Sequence, residues 1–195
     1  MPIEIKNLRI QYEDKTVIDN FNLRIEDNEN IAILGTSGIG KTSLINAIMK
    51  LIPYQGNINM PDNTLISAVF QEDRLFEGLT VYDNIKMTCD KTLHDAIRET
   101  VILAGLNPDD YVSSLSGGMR RRTAILRALL APHNLLILDE PFKGLDTDTR
   151  LIMMNLIKEK TSHTTMLLIT HDWQEASYFS CRQIVLSSGD TSPKV

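Results

Sequence analysis

The feature that most constrains the fold is a set of short apolar runs, each followed within a few residues by a helical pattern. Ile31 to Leu34, "LLILD" from Leu135 and "TMLLIT" from Thr165 are such runs. Apolar stretches of this length suit strands buried on both faces. A strand buried on both faces needs helices above and below it, so the alternation predicts an α/β layered core around a parallel sheet. Further strands are expected at Ile3–Ile10, Phe21–Ile25, "GNINM", "LISAVF" and "QIVLSS". Helices are expected over Lys41–Leu51, Gly117–Leu130, Thr147–Thr161 and Trp173–Phe179, the first ended by Ile52–Pro53. The segment 72–114, Glu72 to Ser114, is different. It carries two helical patterns, one from near Val81 and one over Thr92–Ala104, with no convincing strand, and reads as a helical insertion in a single domain spanning 1–195.

Composition excludes several classes. A net charge of −5 argues against a dedicated nucleic-acid binder, which would carry a basic stripe. The triplet Arg120, Arg121 and Arg122 is therefore expected to be a solvated helix face, partly pairing with acids at an interface. Two cysteines, Cys89 and Cys181, cannot make a disulfide framework and point to a reduced, cytosolic chain. The opening "MPIEIKNLRI" is no signal peptide, and no stretch nears the roughly 18 apolar residues of a membrane span. The expectation is a soluble protein, still able to dock on a membrane partner.

The run Ile31–Leu34 leads into Gly35, Thr36, Ser37, Gly38, Ile39, Gly40, Lys41 and Thr42, which fits G-x-x-x-x-G-K-[ST] in full. Glycines let the backbone curl its N–H groups toward phosphate oxygens. The helix opening near Lys41 adds its positive end, Lys41 a full charge, and the Thr42 hydroxyl a ligand for Mg²⁺. Such a cradle fits kinases, GTPases and many ATPases.

"LLILDEP" narrows the choice. In open α/β sheets ligands sit at the carboxyl ends of the strands, so Asp139 and Glu140 are expected beside Lys41. Asp139 can hold Mg²⁺, and Glu140 can act as general base on an attacking water. A third stretch, "LSGGMRRR", places Ser116 as a helix N-cap, with Gly117 and Gly118 exposing N–H groups at a second positive helix end. In isolation this is an ordinary serine–glycine cap. Beside the first cradle, the economical geometry is two chains head to tail, each closing the other's site.

Together, and in this order, the three motifs resemble the nucleotide-binding subunit of an ABC transporter over nearly the whole chain. The resemblance implies a P-loop, RecA-like α/β core, an antiparallel β subdomain and a helical subdomain at about 72–114. It also implies ATP and Mg²⁺ as cofactors, and a homodimer or heterodimer of ATPase subunits. ATP-driven closure of that dimer would move an integral membrane permease, with an extracytoplasmic solute-binding protein as a further partner. The subunit would then lie on the inner face of the cell membrane.

Other roles follow only from the resemblance. Tyr12 matches the aromatic residue that stacks on adenine, and Ser43 closes the phosphate motif. Gln71, ending "LISAVFQ", matches the glutamine that senses Mg²⁺ and the γ-phosphate. Asp146 in "GLD" matches an aspartate that crosses the dimer interface, and it suits a helix N-cap as well. His171 matches the histidine that contacts the γ-phosphate. Asp172 and Glu175 would open the next helix as a capping box, and His94, His133 and His163 have no role.

"FQEDRLFEGLTVYDNI" resembles importer subunits, particularly those for nitrate, sulfonate or taurine-like solutes. Met119 replaces the usual glutamine of the signature, and Asn28 stands where glycine is common, which a left-handed asparagine tolerates. The helical insertion looks trimmed, which leaves the permease-docking surface open. The chain ends soon after "QIVLSS", predicting no appended regulatory domain. Two alternatives remain at this level: a non-transport ABC ATPase of DNA repair or translation, and a nucleotide-binding module without turnover.

Overall fold

Eight strands divide between two sheets in the computed structural model, which describes residues 2–13 and 15–186. β3 (Asn30–Leu34), β5 (Ile66–Val69), β6 (Leu135–Asp139), β7 (Thr165–Ile169) and β8 (Arg182–Val185) form a parallel sheet in the order β5-β6-β7-β3-β8. β1 (Ile3–Tyr12), β2 (Lys15–Ile25) and β4 (Gln55–Asn59) form an antiparallel sheet in the order β2-β1-β4. The expected strands are all present. "QIVLSS" is β8 as far as Val185, and its Ser187 and Ser188 lie outside the described residues.

Alternate residues of the central strands feed two hydrophobic clusters, as the period of two demands. Leu135, Ile137, Leu167 and Ile169 meet Leu44, Ile45 and Ile48 of α1 (Lys41–Ile48), together with Ile5, Leu8 and Phe21 of the antiparallel sheet. Leu136, Leu138, Met166 and Leu168 face the other way. They meet α4 (Gly117–Leu130) through Leu126 and Leu129, and α5 (Thr147–Lys160) through Met153 and Ile157. The central strands are thus covered on both faces, which keeps their apolar runs out of water.

β1 is not a simple alternation. Its buried positions run Ile3, Ile5, then Leu8, Ile10, a change of phase between the pairs. The register against β2 shifts at the same place. Asn7 takes up the extra residue with φ at 50°, and its N–H donates to Asn22 Oδ1 at 2.9 Å. This is a β-bulge, which keeps the inner face apolar on both sides of the irregularity.

α1 stops earlier than expected, and Pro53 is not the reason. Lys50 sits in the left-handed region at φ 57°. Its N–H bonds Ala47 O at 2.9 Å, and that of Leu51 bonds Asn46 O at 2.8 Å. These are the paired bonds of a Schellman ending, with lysine where glycine is usual. Asn28 is left-handed too, at φ 59°, as its turn requires.

Between β5 and α4 lie α2 (Val81–Lys86), α3 (His94–Leu103) and single 3₁₀ turns at Lys91–Leu93 and Val112–Ser114. No strand occurs among the described residues of this segment; a single bridge joins Thr80 to Tyr111. Val81, Ile85, Ile97 and Val101 belong to the same cluster as α4 and the parallel sheet. α6 (Trp173–Tyr178) leads into β8. No helix among the described residues is long and apolar enough to cross a membrane.

Candidate active site

The loops that leave β3, β6 and β7 converge on one cavity of about 700 Å³. Because these strands are parallel neighbours, their carboxyl ends open on the same side of the sheet. Gly35, Thr36, Ser37, Gly38, Gly40, Lys41, Thr42 and Ser43 line it, with Gln71, Asp139, Glu140 and His171. A cavity of this volume lies within the range that binds small ligands. Gly40 caps α1 at φ 111°, and a Cβ there would stand 2.7 Å from Val17 Cγ1, so only glycine fits.

Lys41 is buried, and its ammonium curls back over the loop. Nζ donates to Gly35 O at 2.8 Å and to Thr36 O at 3.0 Å. These bonds hold a cation at the cavity wall against main-chain oxygens that an anion could replace. The first-turn N–H groups of α1 have no carbonyl one turn back, which leaves donors for the same anion. A ligand with several anionic oxygens suits this arrangement.

The Thr42 hydroxyl donates to Asp139 Oδ2 at 2.9 Å, joining the start of α1 to the end of β6. Burial raises the Asp139 carboxyl above its ordinary value, and the Thr42 bond and the nearby Lys41 and Arg121 charges oppose this. Among the described residues no cluster of three His, Cys, Asp or Glu side chains could hold a metal. A cation here would therefore take one carboxylate, one hydroxyl and the Gln71 amide oxygen at the cavity wall from the protein, and fill its remaining positions with ligand oxygens and water. Small, hard divalent ions accept such a site.

Glu140 has φ at 47°, left-handed and unusual for a residue with a Cβ. Its N–H donates to Ile169 O at 2.9 Å, and its Oε2 lies 2.8 Å from His171 Nδ1. Lys143 and Val17 also line the cavity. The sequence reading missed both; Lys143 carries no motif signal beyond its position between Glu140 and Asp146.

Several expected residues lie elsewhere. Among the described residues, Tyr12, Ile39, Ser116, Gly117, Gly118 and Asp146 do not line this cavity. Tyr12 is at its edge, donating to Ser43 Oγ at 3.3 Å, and its ring is half-exposed. The Ile39 N–H folds back onto Thr36 O at 3.4 Å. Ser116 caps α4, its hydroxyl accepting from Met119 N at 3.3 Å. Asp146 caps α5, accepting from Thr149 N at 2.9 Å. A Cβ at Gly117 would meet nothing within 4 Å, so the end of α4 is open to close approach.

Two expectations need correction. The arginine triplet is not a solvated face: Arg121 is 5% exposed, and Arg122 donates to Ala104 O and Gly105 O at 2.6 and 3.0 Å. Arg120 pairs with Glu77 at 2.7 Å. Nor do Asp172 and Glu175 make a capping box. Asp172 caps α6 through Gln174 N at 2.8 Å, but Glu175 is buried and accepts from Thr170 Oγ1 at 2.5 Å. Thr170 Oγ1 itself accepts from Asp172 N, taking the place that Glu175 would have filled.

The sequence pattern of the family described as ABC transporter matches residues 18–143. An aliphatic sulfonates import ATP-binding protein of Paraburkholderia xenovorans (strain LB400) is 37% identical over 195 residues, covering 97% of this chain and 78% of the relative. A protein of the same description from Bacillus cereus is 36% identical, covering 88% of this chain and 74% of the relative. A taurine import ATP-binding protein of Escherichia coli (strain K12) is 36% identical, covering 96% and 80%.

Proposed function

The chain belongs to the ABC transporter family, and on that premise we propose that it is the ATP-hydrolysing subunit of an importer for organic sulfonates. The observation that carries the reading is the meeting of Lys41, Thr42, Asp139, Glu140 and His171 at one cavity. ATP enters with its phosphates in the Gly35–Thr42 cradle, Lys41 exchanging its loop carbonyls for phosphate oxygens. Tyr12, beside Ser43, stacks on the adenine. Thr42 and Asp139 hold Mg²⁺, with Gln71 as a further oxygen ligand, and the ion when bound neutralises charge on the outer phosphates.

Water attacks the γ-phosphorus in line with the leaving ADP. The new bond is from water oxygen to phosphorus, the bond to the ADP oxygen breaks, and Glu140 accepts the proton. His171, paired to Glu140, contacts the γ-phosphate. Lys41 stabilises negative charge on the transferring group.

The chain works as a pair. Ser116, Gly117, Gly118 and Asp146 lie apart from the cavity, and the open N-terminus of a 14-residue helix suits an anion brought by a second copy. Head-to-tail pairing would place these groups on the other copy's ATP. The chain forms one ATPase domain, and residues 72–114 form a helical subdomain that receives the permease. The subunit is then peripheral on the inner face of the membrane, and a solute-binding protein delivers the sulfonate outside.

A Glu140→Gln variant tests the reading. With ATP its hydrolysis should fall to a small residual rate, and it should elute at twice the mass of the single chain. If it hydrolyses ATP like the parent, the assigned base is wrong. Active transport of a sulfonate by vesicles holding the co-purified permease tests the solute.

A further inference from the structure

The residue with the most demanding surroundings outside the cavity is Arg121, in the second turn of α4. A guanidinium carries five N–H donors and no acceptor. Here every one of them is used. Nε donates to Pro141 O at 2.9 Å, Nη2 to Asp139 O at 2.7 Å and Glu140 O at 2.6 Å, and Nη1 to Phe70 O at 2.6 Å and Asp73 Oδ1 at 3.1 Å. Nη1 also reaches Gln71 O at 3.5 Å, so five of the acceptors are main-chain carbonyls; they come from the end of β6 with the loop after it, and from the loop after β5. One loop follows β6 and contains Glu140; the other follows β5 and contains Gln71. A second arginine of the helix, Arg127, holds the latter loop further on, donating to Asp73 O at 3.1 Å and Arg74 O at 2.8 Å.

We propose that Arg121 is a positioning residue that fixes the Glu140 and Gln71 loops to one another and to α4. The proposal rests on the roles given above to those two residues. Glu140 is the sharper case. Its left-handed backbone persists only where the surroundings over-determine it. Ile169 O holds its N–H, and Arg121 holds its carbonyl, so both peptide groups flanking its Cα are pinned. The direction of the carboxylate toward His171 follows from that pinned backbone. The same guanidinium holds the carbonyl of Phe70, immediately before Gln71. Both residues are therefore referred to α4, whose N-terminal end, about one turn earlier, presents Ser116 and Gly117.

Lysine keeps the charge of Arg121 but has three donors at one point, which cannot span both loops. Glutamine keeps two planar donors and loses the charge. Both Arg121→Lys and Arg121→Gln are expected to lower kcat about 10- to 100-fold, the cost of displacing a catalytic group by a fraction of an ångström. The KM for ATP and the affinity for a non-hydrolysable analogue should stay within about threefold of the parent, because the cradle is untouched. The decisive measurement adds Glu140→Gln. If Arg121 acts through Glu140, the Arg121→Lys/Glu140→Gln double variant turns over no more slowly than Glu140→Gln alone.

Full kcat in a folded Arg121→Lys or Arg121→Gln chain overturns the proposal. So does a loss confined to KM, or a loss that multiplies with Glu140→Gln. If one of the two variants does not fold, the other gives the same comparison; if neither gives a cooperative thermal transition, Arg121 is a folding residue and the proposal fails. A parent without ATPase activity instead overturns the functional reading, and is distinguished by being seen before any substitution is made.

Discussion

Glu140 Oε2 and His171 Nδ1 stand 2.8 Å apart, although 31 positions separate them in the chain. The cause is the sheet. β6 and β7 are parallel neighbours with Asp139 level with Ile169, so the residues just beyond their ends arrive side by side. An ionised carboxylate only accepts, so Nδ1 is the donor when it faces one, and Nε2 can then donate to a phosphate oxygen only from the doubly protonated ring. Replacing His171 by alanine should therefore lower kcat about 100-fold while nucleotide affinity changes little. Phosphate release and equilibrium binding of a fluorescent analogue separate the two; a loss of affinity without loss of kcat would contradict the pairing.

Thr42→Val keeps the shape of the side chain and removes the hydroxyl that meets Asp139. The parent should bind ATP more tightly when Mg²⁺ is present, and the variant should lose most of that difference. Titration calorimetry with and without chelator measures it. Asp139 also loses a bond in a buried position, so the nucleotide-free variant should be less stable by about 1–3 kcal/mol.

The Arg182 guanidinium donates to both Glu29 oxygens, at 2.6 and 3.1 Å, and that contact holds the Glu29 carboxyl below its ordinary value. A carboxyl lowered on folding stabilises the protein fully above its unfolded value, about 4.3, and that contribution is lost as pH falls through the folded value. Glu29→Gln should thus lower Tm most near neutral pH, with the gap to the parent closing below about pH 4. Thermal scans from pH 7 to pH 3 give the comparison. A gap that widens on acidification would reverse the sign.

Lys50 occupies the left-handed position that ends α1, where glycine carries no steric penalty. Lys50→Gly should stabilise the chain by about 0.5–1 kcal/mol, the relief of strain exceeding the added freedom of the unfolded chain. Denaturant titration reads this directly, and destabilisation would mean that the lysine stem contributes packing that outweighs the backbone.

Much of the site was legible in the sequence because its parts are local. The cradle, its lysine and the helix behind them are contiguous, and the spacing of glycines already states where the backbone must turn. "LLILD" and "TMLLIT" declared their strands by apolar content, and a polar residue after a buried parallel strand has one side of the sheet to emerge on. The end of α1 was not legible, because Pro53 is a visible signal and a left-handed lysine is not. The bulge at Asn7 was hidden for the same reason: a pattern of alternation does not reveal where its phase slips until the partner strand is present.

Arg121 marks the boundary most clearly. Three consecutive arginines in an acidic chain look alike in sequence, and each is a charge that prefers water. Which one is buried depends on five carbonyls from two segments distant in the chain, all reaching one point only after β5, β6 and α4 have packed. The sequence by itself determined the class of fold, the glycine-rich loop that ends in Lys41 and the identity of the acids beside it, because those depend on neighbours along the chain. The tertiary structure decided how the acids are aimed and what holds them, because a buried charge is stable only where distant groups complete its hydrogen bonds.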